Sequence, residues 1–249
     1  MIEFVEKIKE LKERGYIKTR RKGDTGVGYT LEREIGLSEN NISGPDLENI
    51  ELKAQRRGSS SKITLFTLDR RAWKIKQRDL ILKYGYIDKG RRKALYCTVS
   101  NKPNPQGFYT TVVGDKFCLF HTSGDLIAEW RIKDLIGSLI KKMPNLILVI
   151  AESRLDSMRR EEFWYNEVYY LKDVNKSKFI EYLQNGIVTI DLRMYLKKGG
   201  SVRNHGTAFR IEEKYLSELF SSKINLLNSD FRNYVIMTGK KKQKALIDF

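Results

Sequence analysis

The sequence predicts a mixed α/β or α+β fold, with a β-sheet flanked by helices. Three observations point there. Residues 2–14 place Ile2, Val5, Ile8 and Leu11 on one face with Phe4 beside them, which is the spacing of an amphipathic helix. Ile50–Gln55 alternates apolar and polar side chains, the period of a half-buried strand. Leu146–Glu152 is a nearly continuous apolar run, which suits a strand covered on both faces.

The other elements follow in order. Gly15 ends the first helix. The basic residues Lys18, Arg20, Arg21 and Lys22 lead into Gly23-Asp24-Thr25-Gly26-Val27-Gly28, a flexible turn that opens a short helix around Tyr29–Gly36. Residues 37–49 carry Asn40, Asn41, Gly44 and Pro45 and read as a loop. After the strand at 50–55, Arg56–Lys62 reads as a basic hairpin tip and Ile63–Leu68 as its returning strand. Residues 70–86 are predicted to be helical in part, and Lys89–Lys93 an exposed basic turn. Asn101–Gly107 holds two of the four prolines and is a loop. Phe108–Val113 and Lys116–His121 form a hairpin around Gly114-Asp115. Ile127–Ile132 adds a strand and Lys133–Lys142 a helix. Glu161–Lys172 is rich in aromatics, and Phe163, Trp164, Tyr165, Tyr169 and Tyr170 are assigned to the core. Lys176–Asn185 is a helix stopped by Gly186, and Ile187–Met194 a strand before the basic loop Lys197–Gly200. Phe209–Ile211 leads into a last helix near Glu212–Phe220, and the basic tail from Met237 is expected to fray.

Composition narrows the function. Of 249 residues, 41% are hydrophobic and 11% aromatic, enough for a sizeable core rather than a disordered chain. Against 31 Asp and Glu stand 47 Lys and Arg, a net charge of +16. Such a field suits a polyanion, because each neutralised phosphate releases counterions. The two cysteines, Cys97 and Cys118, sit among apolar and aromatic neighbours. They are expected to be free, buried thiols in a reducing cytoplasm. With only two cysteines and two histidines, His121 and His205, a structural zinc site is excluded. No signal-peptide pattern opens the chain, and the longest apolar run, Leu146–Ala151, is too short to span a membrane. The glycine turn at 23–28 lacks the Lys-Ser/Thr of a nucleotide-binding loop. It fits a backbone that approaches DNA phosphates closely, with Lys22, Thr25 and Gly28 nearby.

The chemistry concentrates in Pro45-Asp46-Leu47-Glu48-Asn49-Ile50-Glu51-Leu52-Lys53. On a strand Glu51 and Lys53 share one face while Ile50 and Leu52 point into the core. Asp46 lies just upstream, where the loop can bring its carboxylate beside Glu51. Oxygen donors of this kind suit Mg²⁺ and not zinc. Asp46, Glu51 and the backbone carbonyl of Leu52 are the candidate ligands. Lys53 can hold the attacking water and offset charge that develops on a phosphate. Glu32, on the short helix, is a candidate for an outer or second metal site, with Glu34 beside it as a decoy. Taken alone, the D-x4-E-x-K pattern also fits a salt-bridged exposed strand.

Gly26-Val27-Gly28-Tyr29-Thr30-Leu31-Glu32, then Pro45-Asp46 and Ile50-Glu51-Leu52-Lys53, resembles the MvaI/BcnI restriction endonucleases and their strand-nicking repair cousin MutH. Leu65-Phe66, Tyr84-Gly85-Tyr86, Leu148-Val149 with Ala151-Glu152, and Gly206 through Phe209-Arg210-Ile211 extend the likeness over most of the chain. The resemblance implies a PD-(D/E)xK restriction-endonuclease-like core in two lobes around a DNA cleft: a catalytic lobe at about residues 1–100, and a recognition lobe at 101–249 whose strands can return to the first. It implies a monomeric, Mg²⁺-dependent type II enzyme acting on double-stranded DNA at a short CC-N-GG-like site. Glu32, Asp46, Glu51 and Lys53 are then catalytic, and Ca²⁺ supports binding without cleavage. A cognate DNA methyltransferase is the expected partner. Gln55, Arg56, Arg57 and Lys62 are expected to touch DNA, and Arg203, Asn204, His205, Thr207 and Arg210 fall where relatives carry base-reading residues. Thr67 and Ala208 align where BcnI carries histidines, so the preference at a central base pair is not inherited. A nicking repair enzyme and a non-catalytic DNA-binding protein remain alternatives.

Overall fold

The computed structural model describes residues 2–36, 50–59, 61–69 and 71–228. The loop at 37–49, with Asp46, and the tail from Met237 lie outside the described residues. From the N-terminus the chain forms α1 (Ile2–Arg14), β1 (Ile17–Lys18), α2 (Gly26–Glu34), β2 (Ile50–Arg56) and β3 (Lys62–Thr67). Next come α3 (Gln77–Tyr84), β4 (Tyr86–Ile87), β5 (Lys93–Val99), β6 (Phe108–Val113), β7 (Lys116–His121) and β8 (Leu126–Arg131). Then α4 (Ile132–Lys142), β9 (Asn145–Leu155), β10 (Glu161–Val174), α5 (Lys176–Gln184) and β11 (Thr189–Leu196) follow. The last are β12 (Val202–Asn204), β13 (Ala208–Glu212), α6 (Glu213–Leu216) and β14 (Phe220–Asn225). The mixture of helices and sheets is the predicted α+β class.

The chain divides into two compact units. The first comprises residues 1–59, 145–173 and 220–249, the second residues 60–144 and 174–219. The chain thus passes between the units more than once, with residues 145–173 and 220–249 returning to the first. The cause is the pairing of β2 with β9, parallel and in register from Ile50↔Asn145 to Arg56↔Ala151, since a parallel partner must come from a distant crossover.

In the first unit the sheet order is β1-β10-β9-β2, with β14 also on β10. β9 and β10 form a long antiparallel pair, interrupted by a bulge between Tyr165 and Glu167. One face of this sheet meets α1 and α2. Phe4, Val5, Ile8 and Leu11 of α1 and Val27 and Leu31 of α2 are buried against Ile147, Val149, Phe163 and Tyr165, with Ile50, Leu52 and Ala54 packed on the same cluster. Burying each such aliphatic side chain contributes about 1.5–3 kcal/mol.

In the second unit one sheet runs β3-β13-β11-β5-β4 with β12 on β11, and a separate meander runs β6-β7-β8. The hairpin at Phe108–His121 is as read from sequence. The one at Arg56–Lys62 is not. β2 and β3 belong to different sheets, and β3 pairs with β13, because the turn at Arg57-Gly58 passes the chain from one unit to the other. The aromatic stretch at 161–172 is strand, with Phe163 and Tyr165 fully buried and Trp164, Tyr169 and Tyr170 half-buried. The last predicted helix shrinks to α6 and a single 3₁₀ turn at Ser217–Leu219. Asn175 caps α5, its side chain accepting from the Lys178 amide. Both cysteines are free, Cys118 buried and Cys97 half-buried; burial pushes the Cys97 thiol up to about 12.

Candidate active site

β2 is the end strand of its sheet among the described residues. Its even-numbered residues Ile50, Leu52 and Ala54 pack on the core, so Glu51 and Lys53 emerge together on the opposite face. Lys53 Nζ donates to Glu51 Oε1 at 2.7 Å, with the two side chains 29% and 22% exposed. This is a half-buried acid–amine pair that still reaches solvent. Gln55, next on that face, is buried. Alternate carbonyls of an end strand point away from its neighbour, which among the described residues is β9.

α2 is held at its start by three contacts. Tyr165 Oη donates to the Val27 carbonyl at 2.8 Å, and burial pushes that phenol well above its ordinary range. The Arg20 amide donates to Thr30 Oγ1 at 2.9 Å. Arg56 donates to the carbonyls of Gly23 and Asp24 at 2.9 and 3.1 Å and pairs with Glu161 at 2.5 Å. Gly26 must be glycine: a Cβ there would overlap the Arg21 carbonyl, whereas one at Gly28 would meet open space.

Two neighbouring acids on α2 have opposite fates. Glu34, 6% exposed, is clamped by Arg14 at 2.9 Å and Arg20 at 2.7 Å. Burial pushes its carboxyl up, but the hydrogen bonds from both arginines outweigh this and hold it below the usual range. Glu32 is half-buried, and its side chain makes no ion pair or hydrogen bond among the described residues. Glu32 follows Leu31, which faces the core. Asp46 lies outside the described residues, among which no cluster of three or more His, Cys, Asp or Glu side chains could hold a metal ion.

The expected DNA-contacting residues separate into two groups. Lys22, Thr25, Arg203 and His205 are exposed. Others are engaged internally. Arg57 pairs with Glu167 at 2.7 Å and Glu152 at 3.6 Å. Lys62 donates to Thr189 at 3.0 Å. Arg210 bonds Asp191 at 2.7 Å and the Lys62 carbonyl at 2.5 Å. Thr207 is buried and donates to Asp69 at 2.7 Å, and Asn204 also donates to Asp69. At Gly206, φ is +84° and a Cβ would strike the Thr67 methyl, so only glycine lets this loop return to β13.

A family model for the MvaI/BcnI restriction endonucleases matches residues 5–220. The chain belongs to the MvaI/BcnI restriction endonuclease family. Membership makes it a DNA nuclease of the restriction type. Among solved structures it is similar to "Restriction endonuclease MvaI-cognate DNA substrate complex" at TM-score 0.69 and 26% identity, over 89% of this chain and 96% of that one. It also matches "Restriction endonuclease MvaI in the absence of DNA" at TM-score 0.54 and 24% identity, over 90% and 96%, a likeness of fold. A search of curated proteins returned no match.

Within this MvaI/BcnI chain, sequence reasoning overlooked Asp69. Its carboxylate gathers Trp73 Nε1 at 3.1 Å, Thr207 Oγ1 at 2.7 Å and the Asn204 amide, and so shapes the 204–207 loop that presents His205. The available signal was an acid directly after a strand, a common hub for turn donors. No helix among the described residues is long and apolar enough to cross a membrane.

Proposed function

We propose that the chain is a Mg²⁺-dependent, sequence-specific type II restriction endonuclease that hydrolyses phosphodiester bonds of double-stranded DNA at a short CC-N-GG-like site. The observation that supports this best is the Glu51–Lys53 pair, joined at 2.7 Å and half-buried on the face of an end strand turned away from the helices, in a chain of this family. The donor set fits a hard divalent cation: carboxylate oxygen from Glu51 and Asp46, the carbonyl of Leu52, and Glu32 as an outer or second site, with neither His nor Cys among them. Bound there, Mg²⁺ would supply polarisation of the scissile phosphate.

Lys53 does the rest of the work at this strand. Its ammonium holds the Glu51 carboxylate in place at 2.7 Å before DNA arrives. With DNA bound it donates to the attacking water and offsets charge growing on the non-bridging oxygens. Ca²⁺, larger and looser in geometry, supports binding without cleavage. The enzyme acts as a monomer, and host DNA is guarded by a cognate methyltransferase.

Incubating supercoiled plasmid with the protein and Mg²⁺, then sequencing the fragment ends, tests this reading. Linear fragments sharing one short sequence at their ends are expected. Open circles alone would make the chain a nicking enzyme instead, and equal cutting in EDTA would remove the metal.

A further inference from the structure

A pocket of about 660 Å³ opens within the second unit, where the turn after β3 meets β7, β8 and the start of α4. Its walls include Leu68, Arg71, Lys116, Glu129, Arg131 and Asp134. Cations outnumber acids there. Glu129 already serves two ammoniums, Lys116 and Lys74, each at 2.8 Å. The hydrogen bonds from those two lysines hold its carboxyl below the usual range. Asp134 takes Arg131 at 2.8 Å. Both acids of the pocket are thus engaged. Arg71 is exposed and makes no hydrogen bond or ion pair among the described residues.

The backbone at Arg71 is also unusual. The Ala72 amide donates to the Asp69 carbonyl at 3.3 Å, which closes a turn with Arg71 as its third residue, and φ at Arg71 is +56°. Glycine is the ordinary residue at such a position, because a Cβ crowds the backbone there. An arginine kept in glycine's place indicates a use for its side chain. The same turn bears on the 204–207 loop. The Leu68 amide donates to the Thr207 carbonyl at 3.0 Å, and the Asp69 carboxylate accepts from Thr207 and Asn204. None of the pocket's walls belongs to the sheet face on which Arg210 meets Asp191.

We propose that this pocket is an anion site that holds a phosphate group with Arg71, Lys116 and Arg131. The planar guanidinium of Arg71 offers paired donors to two phosphate oxygens, and the lysine adds a compact charge. Lys116 and Arg131 are 42% and 55% exposed, so both can turn toward a ligand without leaving a buried acid behind. A phosphate offsets the excess of cations that the pocket's own acids leave. Free phosphate and the backbone of a DNA segment present the same oxygens. Through the turn at Asp69, an occupied pocket steadies the 204–207 loop. The inference draws on no residue of the Glu51–Lys53 site.

The test follows the melting temperature of the full chain against inorganic phosphate, at fixed ionic strength and without divalent metal, for wild type, Arg71→Gly and Arg203→Ala. Chloride is the reference. Phosphate is expected to raise the melting temperature of wild type saturably, because it binds the folded chain. Arg71→Gly suits the backbone of the turn, so in chloride it should melt at or above wild type. Its phosphate affinity should fall by on the order of 10–100-fold. Arg203→Ala keeps the full response. The salt dependence of duplex binding then assigns the source: a slope shallower by about one in Arg71→Gly marks a DNA phosphate, and an unchanged slope marks free phosphate. No saturable rise in wild type, an undiminished rise in Arg71→Gly, or a rise abolished by Arg203→Ala would each overturn the site.

Discussion

The sheets of the two units spend their cations differently. In the first unit, β2 and its neighbours pair nearly every charge they carry with another: Lys53 with Glu51, Arg56 with Glu161, Arg57 with Glu167, Arg154 with Glu162. In the second, Arg210 is paired with Asp191 while Arg193 on the same face of the same sheet is not, and Arg203 and His205 stand exposed at its rim. A net charge of +16 therefore says less than where the unpaired part of it lies. Paired cations hold structure or tune chemistry; unpaired ones wait for an external anion.

The comparison can be broken at Glu51 first. Glu51→Gln removes the charge of a proposed metal ligand and the counter-ion of Lys53, so under the proposed mechanism cutting in Mg²⁺ is expected to fall to the level seen in EDTA. A gel assay that found cutting undiminished would remove Glu51 from the site. Next in size is stability. Arg210→Ala leaves Asp191, 11% exposed, without its ion-pair partner and is expected to cost about 2–4 kcal/mol. Arg193→Ala should cost almost nothing. Urea unfolding compares them, and equal losses would erase the distinction between the two arginines. A smaller effect is expected at the rim. Arg203→Ala should weaken DNA binding evenly across sequences and reduce the salt slope by about one, measured by anisotropy from low to moderate salt. A sequence-dependent loss would instead make Arg203 a base reader.

The smallest effect concerns acid. The carboxyl of Glu34 is held down despite burial by Arg20 and Arg14, and that of Glu167 chiefly by its hydrogen bond from Arg57. A folded value below the unfolded one means stabilisation that is present above the unfolded value, near 4.5, and is lost as pH falls through the folded value. Melting temperature should therefore drop on acidification below that point, less so in Glu34→Gln. The same slope in both proteins would show that the clamp on Glu34 contributes nothing.

What the sequence disclosed follows the same division. The period of Ile50–Gln55 was enough to put Glu51 and Lys53 on one face, because side-chain direction along a strand is a local property. The amphipathic pattern of α1 and the Gly114-Asp115 hairpin were local too. The partner of β2 was not: β9 begins at Asn145, and nothing between Arg56 and Lys62 distinguishes a hairpin tip from a passage between units. For the same reason the basic run at 56–62 looked available for DNA, although the acids that take Arg56 and Arg57 lie beyond residue 150. Adjacent Glu32 and Glu34 were separable only by resemblance until Arg14 and Arg20 were seen around one of them. Arg193 stood in a plain alternating strand, Thr189-Ile190-Asp191-Leu192-Arg193-Met194, yet its lack of a partner is a fact of three dimensions.

The most direct test of the Glu51–Lys53 site is single-turnover cleavage of a labelled duplex by wild type and Lys53→Ala in Mg²⁺, with DNA affinity measured on the same preparations in Ca²⁺. The expected result is a rate lower by on the order of 10²–10³-fold at nearly unchanged affinity. A Lys53→Ala protein that binds and cuts like wild type would contradict the account.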